Sequence, residues 1–248
     1  MKTAAFLSIM FFMLLVLSSY YHFTKPNADD RLAVAVAEKG TLIKKTLKKN
    51  GIQFDQLQVL FVAYKDEQVF DVYAKNTTDK IYTKIESYKI CEKSGELGPK
   101  NREGDLQVPE GFYYIERFNP QSTYYLSLGI NYPNAADRKR SNAAALGGDI
   151  FIHGKCATVG CLPMTDDKIK EIYLYAWQAR QNGQQRIPVF IFPFNFSHAS
   201  SDTFKEKSKN DPELVAFWNN LKVGHDLFFK DKKAIKVGVD DKGKYTFN

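Results

Sequence analysis

One short segment of the chain holds side chains whose types and spacing favour nucleophilic chemistry. His153 ends an apolar run and is followed by Gly154, and Cys161 comes shortly afterwards, directly behind Gly160. A cysteine attacks a carbonyl carbon as its thiolate, and a nearby imidazole can take the thiol proton. Backbone amides around Gly160 and Cys161 can stabilise the oxyanion that forms. The pattern therefore indicates acyl transfer or hydrolysis with Cys161 as nucleophile and His153 as general base.

Structural roles and metal binding are the alternatives for these residues. A single buried cysteine is often a packing residue, and a histidine at a strand end is often a satisfied polar group. Their combination between glycines favours catalysis. His153, Cys156 and Cys161 could instead bind a metal, but a zinc site needs about four ligands and no matching second pair accompanies them. We therefore expect neither a metal nor another cofactor.

The three cysteines are Cys91, Cys156 and Cys161. An odd number cannot all pair within one chain, so at least one thiol is free or bonds another chain. Cys156 precedes the candidate nucleophile by five residues. It either packs beside Cys161 or forms a disulfide with it that would switch the enzyme off under oxidation, and the sequence leaves both interpretations open.

Composition and charge limit the class of partner. Of the 248 residues, 44% are hydrophobic and 25% are charged, which is typical of a globular chain of one or two domains. The net charge of +7 favours an anionic partner. The lysines and arginines are scattered among 28 acids, without a basic helix or zinc-finger spacing. We expect no nucleic-acid partner, and an anionic wall polymer or lipid headgroup fits the charge as well.

The first residues predict export. Lys2 precedes the run Ala4–Leu17, which contains no charge. A positive residue before a short apolar core is typical of a secretory signal or an N-terminal anchor, here within residues 1–20. Val16 and Ser18 offer a small pair for cleavage, but the A-x-A pattern is absent, so association with the inner membrane through an uncleaved anchor stays open. We expect a location in the periplasm or cell envelope.

The hydrophobic pattern predicts a mainly β fold with flanking helices, of the α+β class. Residues 21–56 read as a linker and a short helical segment, with helices over Arg31–Asn50 broken at Gly40. A compact domain over residues 57–194, a small barrel or sandwich, follows from closely spaced strands. These strands are predicted at Val59–Tyr64, Val69–Tyr73, Lys80–Ile90, Phe112–Phe118, Tyr124–Gly129, Asp149–His153 and Ile187–Phe192.

Helices are predicted on the C-terminal side of Cys161. Thr165 or Asp166 can cap a helix that follows directly. Residues 195–248 form a helical and strand extension, which Trp218 and Leu221 are expected to dock on the domain. The remaining histidines, at positions 22, 198 and 225, are expected to have surface or packing roles.

The motif around the cysteine resembles that of the L,D-transpeptidase (YkuD-like) catalytic domain. The family signature is His-Gly at a strand end, then Ser or Thr, one residue, and Gly-Cys. It is carried here by His153, Gly154, Thr158, Gly160 and Cys161. The resemblance implies that Cys161 is the nucleophile and His153 the general base, with Gly154, Thr158 and Gly160 supporting the motif and the oxyanion.

Further segments extend this resemblance over roughly residues 57–194. Gly98–Lys100, Gly104–Asp105 and Pro109–Gly111 resemble an ordered set of family motifs, with Val108 where threonine is common. Ser127–Asn134 resembles the strand and loop that flank the family's cleft. The residues that the resemblance implies for the substrate cleft are Tyr132, Pro133, Asn134, Lys100 and Asp105.

The motif also departs from the majority pattern. Most family members have a longer gap between the histidine and the cysteine, and a second histidine where Val159 stands here. The compact form resembles a branch of murein enzymes that includes one which detaches a lipoprotein from peptidoglycan. The resemblance implies a thioester between Cys161 and a peptidoglycan stem peptide, with transfer to an amine. Hydrolysis of such a bond, including a protein–peptidoglycan link, and a non-catalytic wall-binding module are the alternatives.

Overall fold

The computed structural model of the protein describes residues 30–197, residue 206 and residues 209–248. The proposed leader, with its run Ala4–Leu17, lies outside these residues. The helices are α1 (Arg31–Lys49), α2 (Ala135–Arg140), α3 (Asp166–Gln181) and α4 (Pro212–Asp231). The strands are β1 (Leu57–Tyr64), β2 (Val69–Asn76), β3 (Thr83–Lys89), β4 (Gly111–Ser122), β5 (Tyr125–Ile130), β6 (Phe151–His153), β7 (Leu162–Pro163), β8 (Ile187–Phe192), β9 (Val237–Val239) and β10 (Tyr245–Phe247).

Eight of these strands form one mixed sheet. Its order is β3-β2-β1-β8-β4-β5-β6-β7, and β9 and β10 form a separate hairpin. Most neighbours are antiparallel, whereas β1 pairs with β8 and β6 pairs with β7 in parallel. The last three strands of the order carry the segment with the candidate nucleophile and base.

Both faces of the sheet are covered, which explains the almost continuous apolar sequence of β1. Phe61 and Ala63 point into a core shared with α1 and α3. Leu60 and Val62 point into a second core shared with α4 and the C-terminal hairpin. Successive strand residues face opposite sides of a sheet, so a strand buried on both sides must be apolar at every position.

Helix α1 runs unbroken from Arg31 to Lys49, so the predicted break at Gly40 is wrong. A glycine inside a helix costs about 1 kcal/mol relative to alanine. Packing of Ala35, Ile43 and Leu47 into the core offsets that cost, since all three side chains are buried. The helix ends at Lys49 with Asn50 as its cap, and Gly51, which follows, has a φ of +72°.

The two predicted C-terminal features are present. The hydroxyl of Thr165 accepts a hydrogen bond from the Lys168 amide at 3.3 Å and caps α3. Trp218 on α4 is fully buried, and its indole nitrogen donates to the Glu110 carboxylate at 2.8 Å. The extension is thus packed on the sheet, as expected.

The mainly β architecture with flanking helices confirms the predicted α+β class. The expected barrel or sandwich takes the form of one eight-stranded sheet between helical layers. Within residues 30–197 and 209–248, no helix combines the length and apolar character needed to cross a bilayer.

Candidate active site

Strand pairing brings the motif histidine and cysteine together. His153 is the last residue of β6, and it pairs with Ser127 on β5 and with Pro163 on β7. Because β7 runs parallel to β6, Cys161 lies immediately before β7 and alongside the start of β6. The Phe151 amide donates to its sulfur at 3.4 Å. Two residues that are separated along the chain therefore meet at the end of the sheet.

His153 and Cys161 line one open cleft of about 330 Å³. Its lining residues come from β4, β5 and β6, from the loop before β5 and from the segments on either side of β6. The other lining residues are Asn119, Ser122, Thr123, Tyr124, Ser127, Asp149, Phe151, Ala157, Thr158 and Val159. A carbonyl group entering the cleft would meet both motif side chains.

The orientation of the His153 ring selects its tautomer. Its Nδ1 lies 2.6 Å from the carbonyl oxygen of Gly154, which can only accept, so Nδ1 carries the proton. The Nε2 atom is then the basic nitrogen. Tyr124 packs on the ring, with 4.6 Å between ring centroids. Burial lowers the pKa of His153 below its usual value, and the Gly154 bond opposes this only in part. The imidazole is therefore neutral at neutral pH.

The Cys161 thiol is also neutral in the resting site. Burial raises the pKa of Cys161, although the hydrogen bond from the Phe151 amide lowers it. The charge of Asp149 raises the pKa further, and that of Lys100 lowers it. The sulfur lies 3.6 Å from the carbonyl oxygen of Asp149, to which the thiol can donate. Burial therefore favours a neutral thiol over a thiolate paired with an imidazolium in this site.

Thr158 organises the turn that holds Cys161. Its hydroxyl oxygen accepts from the amides of Cys161 at 2.8 Å and Gly160 at 3.3 Å, and it donates to the Cys161 carbonyl at 2.9 Å. The structure thus corrects the predicted oxyanion role of the Gly160 and Cys161 amides, because both already point to Thr158. The predicted motif support by Thr158 has a direct structural basis in these bonds.

Two motif glycines allow close approach of the backbone. Gly160 has a φ of +126°, and a Cβ atom there would lie 2.9 Å from the carbonyl oxygen of Gln107. A Cβ atom at Gly154 would lie 2.6 Å from the carboxylate of Asp166. That carboxylate accepts from the Lys155 amide at 2.8 Å. A larger residue at either position would displace the loop between the histidine and the cysteine.

The cysteine pairing contradicts the interpretation in which Cys156 forms a disulfide with Cys161. Cys156 forms a disulfide with Cys91, and Cys161 is free. The sulfur of Cys156 is bonded to that of Cys91, which lies just after β3. Cys156 therefore cannot form a disulfide that blocks Cys161. The bridge ties the loop between His153 and Cys161 to a distant part of the chain. Sequence spacing could not reveal it, since the two cysteines lie 65 residues apart.

Three residues predicted for the substrate cleft, Lys100, Asp105 and Tyr132, are instead largely buried and hydrogen-bonded to one another. The ammonium of Lys100 binds the Asp105 carboxylate at 2.5 Å, and both side chains are largely buried. That carboxylate also accepts from the Asn101 amide at 2.9 Å. Tyr132 is buried and donates to the carbonyl oxygen of Lys100. None of the three lines the cleft described above, and Lys100 acts on Cys161 only through its charge.

The other two predicted cleft residues belong to a turn before α2. Asn134 is buried and caps this helix in a reciprocal pair with Asp137. Pro133 follows Tyr132 through a cis peptide bond. Neither Asn134 nor Pro133 lines the cleft with His153. Proximity in sequence to a motif did not distinguish residues that flank the cleft from residues that support its strands.

Sequence reasoning missed Asp149 and Tyr124, which do line the cleft. Both were placed at the first position of a predicted strand, but Asp149 has a φ of +56° and Tyr124 precedes Tyr125, whose φ is +72°. His225 is buried, as its predicted packing role requires, whereas residues 22 and 198 lie outside the described part of the chain. Within the described ranges, no group of three or more His, Cys, Asp and Glu side chains is arranged to hold a metal ion.

Comparison with known proteins identifies relatives of the chain. Residues 58–191 match the L,D-transpeptidase catalytic domain, YkuD. The chain is 38% identical over 185 residues to the Escherichia coli K12 protein named "Putative L,D-transpeptidase YafK", covering 74% of this chain and 71% of that protein. The protein of the same name from Escherichia coli O157:H7 matches equally.

Two solved structures are also similar. The helical cell shape determining protein Pgp2 from Campylobacter jejuni is 20% identical, with a TM-score of 0.44 and coverage of 79% of this chain and 80% of that chain. Bd1075 from Bdellovibrio bacteriovorus is 19% identical, with a TM-score of 0.40 and coverage of 74% and 75%. On the strength of the domain match and the identity to YafK, the chain belongs to the L,D-transpeptidase catalytic domain (YkuD) family.

Proposed function

We propose that this protein modifies peptidoglycan as an L,D-transpeptidase, with Cys161 as nucleophile and His153 as general base. The observation that carries the proposal is the shared cleft: a free thiol and an imidazole with a basic Nε2 line the same open site. Family membership supports a stem-peptide substrate. A wall-binding module, the non-catalytic alternative, has no use for this pair.

The first half-reaction forms a thioester. His153 Nε2 takes the Cys161 proton as sulfur attacks the carbonyl at the L-centre of the stem's third residue, a diamino acid. The bond from that carbonyl to the terminal D-alanine breaks, and the protonated imidazole returns its proton to the leaving amine. The hydrogen bond from Nδ1 to Gly154 fixes the ring throughout these transfers.

In the second half-reaction, an amine from another stem attacks the thioester. It gives its proton to His153, a peptide bond forms, and the sulfur leaves and is reprotonated. The neutral resting pair suits this exchange, because each group can both take and return a proton.

Hydrolysis is a second candidate, favoured by the compact spacing between His153 and Cys161 and by the open cleft. Water would then replace the amine and release a shortened stem or a protein attached to peptidoglycan. The two reactions share the thioester, so they differ only in whether the site holds an amine and excludes water.

The deciding experiment incubates purified protein with isolated cell wall and with a defined tetrapeptide stem. New dimers joined between third residues establish a transpeptidase. Shortened or released stems without dimers establish a hydrolase. Wall that is bound but chemically unchanged would overturn the enzymatic proposal.

We propose further that the protein acts outside the cytoplasmic membrane, since its substrate lies there. The charge-free run Ala4–Leu17 after Lys2 supports export. A reporter that is active only outside the cytoplasm, fused after Asn248, should be active. Activity of a cytoplasmic reporter at the same position would contradict this location.

A further inference from the structure

We propose that Arg117 and Asp149 form a binding site for the far end of the diamino acid in the stem peptide. In this proposal, which rests on the proposed function, that end is an amino-acid centre with both an ammonium and a carboxylate. Asp149 binds the ammonium and Arg117 binds the carboxylate. The site would select a diamino diacid over a diamino acid that ends in a bare amine.

Strand register places Arg117 beside the catalytic floor. On β4, β5 and β6, Asn119 pairs with Ser127 and Ser127 pairs with His153. The neighbouring row, two residues along each strand, consists of Arg117, Gly129 and Phe151. Directly paired residues and residues two apart share one face of a sheet. The two rows therefore lie on the same face, and Arg117 extends the row adjacent to the general base.

The absence of a side chain at Gly129 allows Arg117 to reach across the sheet. A Cβ atom at Gly129 would lie 2.9 Å from the Phe151 ring and 3.2 Å from Arg117 Nε. The guanidinium instead lies over the Phe151 ring, 4.9 Å from its centroid. It binds the Asp149 carboxylate at 2.7 Å. These contacts hold the guanidinium at the margin of the cleft.

Asp149 lies next to the nucleophile and is open to solvent. It is the one Asp, Glu, Lys or Arg among the residues that line the described cleft. Its backbone oxygen is 3.6 Å from the Cys161 sulfur, and its side chain is 77% exposed. Exposed ion pairs contribute little to stability, so this pair can exchange partners with a ligand at small cost.

The charges match those of an amino-acid centre. A guanidinium binds carboxylate through paired hydrogen bonds, and a carboxylate binds ammonium. When the L-centre carbonyl is at Cys161, a flexible side chain can extend over Phe151 toward the pair. A lysine at the third position would offer only the ammonium, and Arg117 would then gain no ligand.

The test compares three stem peptides whose third residue is diaminopimelate, diaminopimelate amidated at the far carboxyl, or lysine. We expect kcat/KM to be about tenfold to a hundredfold higher for the first than for the other two. Arg117→Gln should remove this preference by slowing only the first. Asp149→Asn should slow all three. Lys222→Gln, which removes a charge from an exposed pair on α4, should change none.

Binding to the Cys161→Ala protein separates the two proposals. Calorimetry should give tighter binding of the diaminopimelate stem, lost in the added Arg117→Gln change. If no stem acylates the wild-type protein, the proposed function fails, but this binding measurement still decides the site. Equal binding of all three stems, or a preference that survives Arg117→Gln, would overturn the site even if the enzyme is active.

Discussion

Two buried histidines, His153 and His225, share an Nδ1 atom close to an oxygen acceptor and a lowered pKa. They differ in the surroundings of the other ring nitrogen, Nε2. In each ring, Nδ1 lies within 3.0 Å of an oxygen acceptor, the Gly154 carbonyl in one case and the Asp226 carboxylate in the other. Burial lowers the pKa of both below the usual value. By these two criteria alone, either could be called a functional residue.

The difference lies in what the second nitrogen meets. His153 lines an open cleft with a free thiol. His225 is sealed among aromatic rings, 4.3 Å from the Phe229 ring centroid, and its buried Nε2 has no hydrogen-bond partner among the described residues. A perturbed pKa therefore reports burial, whereas access and a reacting partner distinguish the candidate base from the packing residue.

Replacing Cys161, the proposed nucleophile, should have the largest effect on the cleft that contains His153. Cys161→Ala should reduce stem-peptide turnover by roughly four orders of magnitude or more, because residues acting as a unit fail together. Its free energy of unfolding should change by less than about 1 kcal/mol, since the thiol makes only weak hydrogen bonds. Turnover near the wild-type rate, measured on the same stem, would exclude Cys161 as nucleophile.

Exchanging each histidine for alanine tests the comparison itself. His153→Ala should lower kcat by about 10²–10⁴-fold, the usual contribution of a general base. His225→Ala should leave kcat of the folded protein unchanged but lower the free energy of unfolding by about 2 kcal/mol, because it opens a cavity among the rings. If His153→Ala keeps more than about a tenth of the activity, another base exists.

Loss of the disulfide should produce a smaller, mainly structural effect. Cys91→Ser, Cys156→Ser and the double variant should each lose about 2–4 kcal/mol of unfolding free energy, because the bridge closes a long loop. The losses should not add, since either change breaks the same bond. A dithiol reductant should weaken the wild-type protein and not the double variant. Activation by reductant would instead restore the idea of an oxidative block of Cys161.

The pH dependence should show the smallest effect. His153 must be neutral to take the thiol proton, and burial holds its pKa below 6.5. The rate constant kcat/KM should therefore remain high as pH falls to 6.5 and decline only below it. Tyr124→Ala uncovers the ring and should move this acid limb toward pH 6.5. An acid limb above 6.5 in the wild-type protein would show that the resting imidazole is not depressed.

The sequence predicted the features that depend on local residue patterns, namely the main strands and the candidate pair of side chains. Residue alternation and apolar runs gave the main strands, and the spacing of His153 and Cys161 gave the candidate pair. The partner of Cys156 and the row through Arg117 depend on tertiary pairing and strand register, which no local pattern specifies. Asn134 was assigned to the cleft although its spacing to Asp137 already fits a helix cap.

The most direct test of the account is to trap the intermediate. Purified protein is mixed with a tetrapeptide stem, quenched in acid within one turnover, and measured by intact-protein and peptide mass spectrometry. We predict an added acyl group equal to the stem minus its terminal D-alanine, located on Cys161 and absent from Cys161→Ala. Turnover of the stem with the acyl group on another residue, or with no covalent adduct under these conditions, would contradict the central claim.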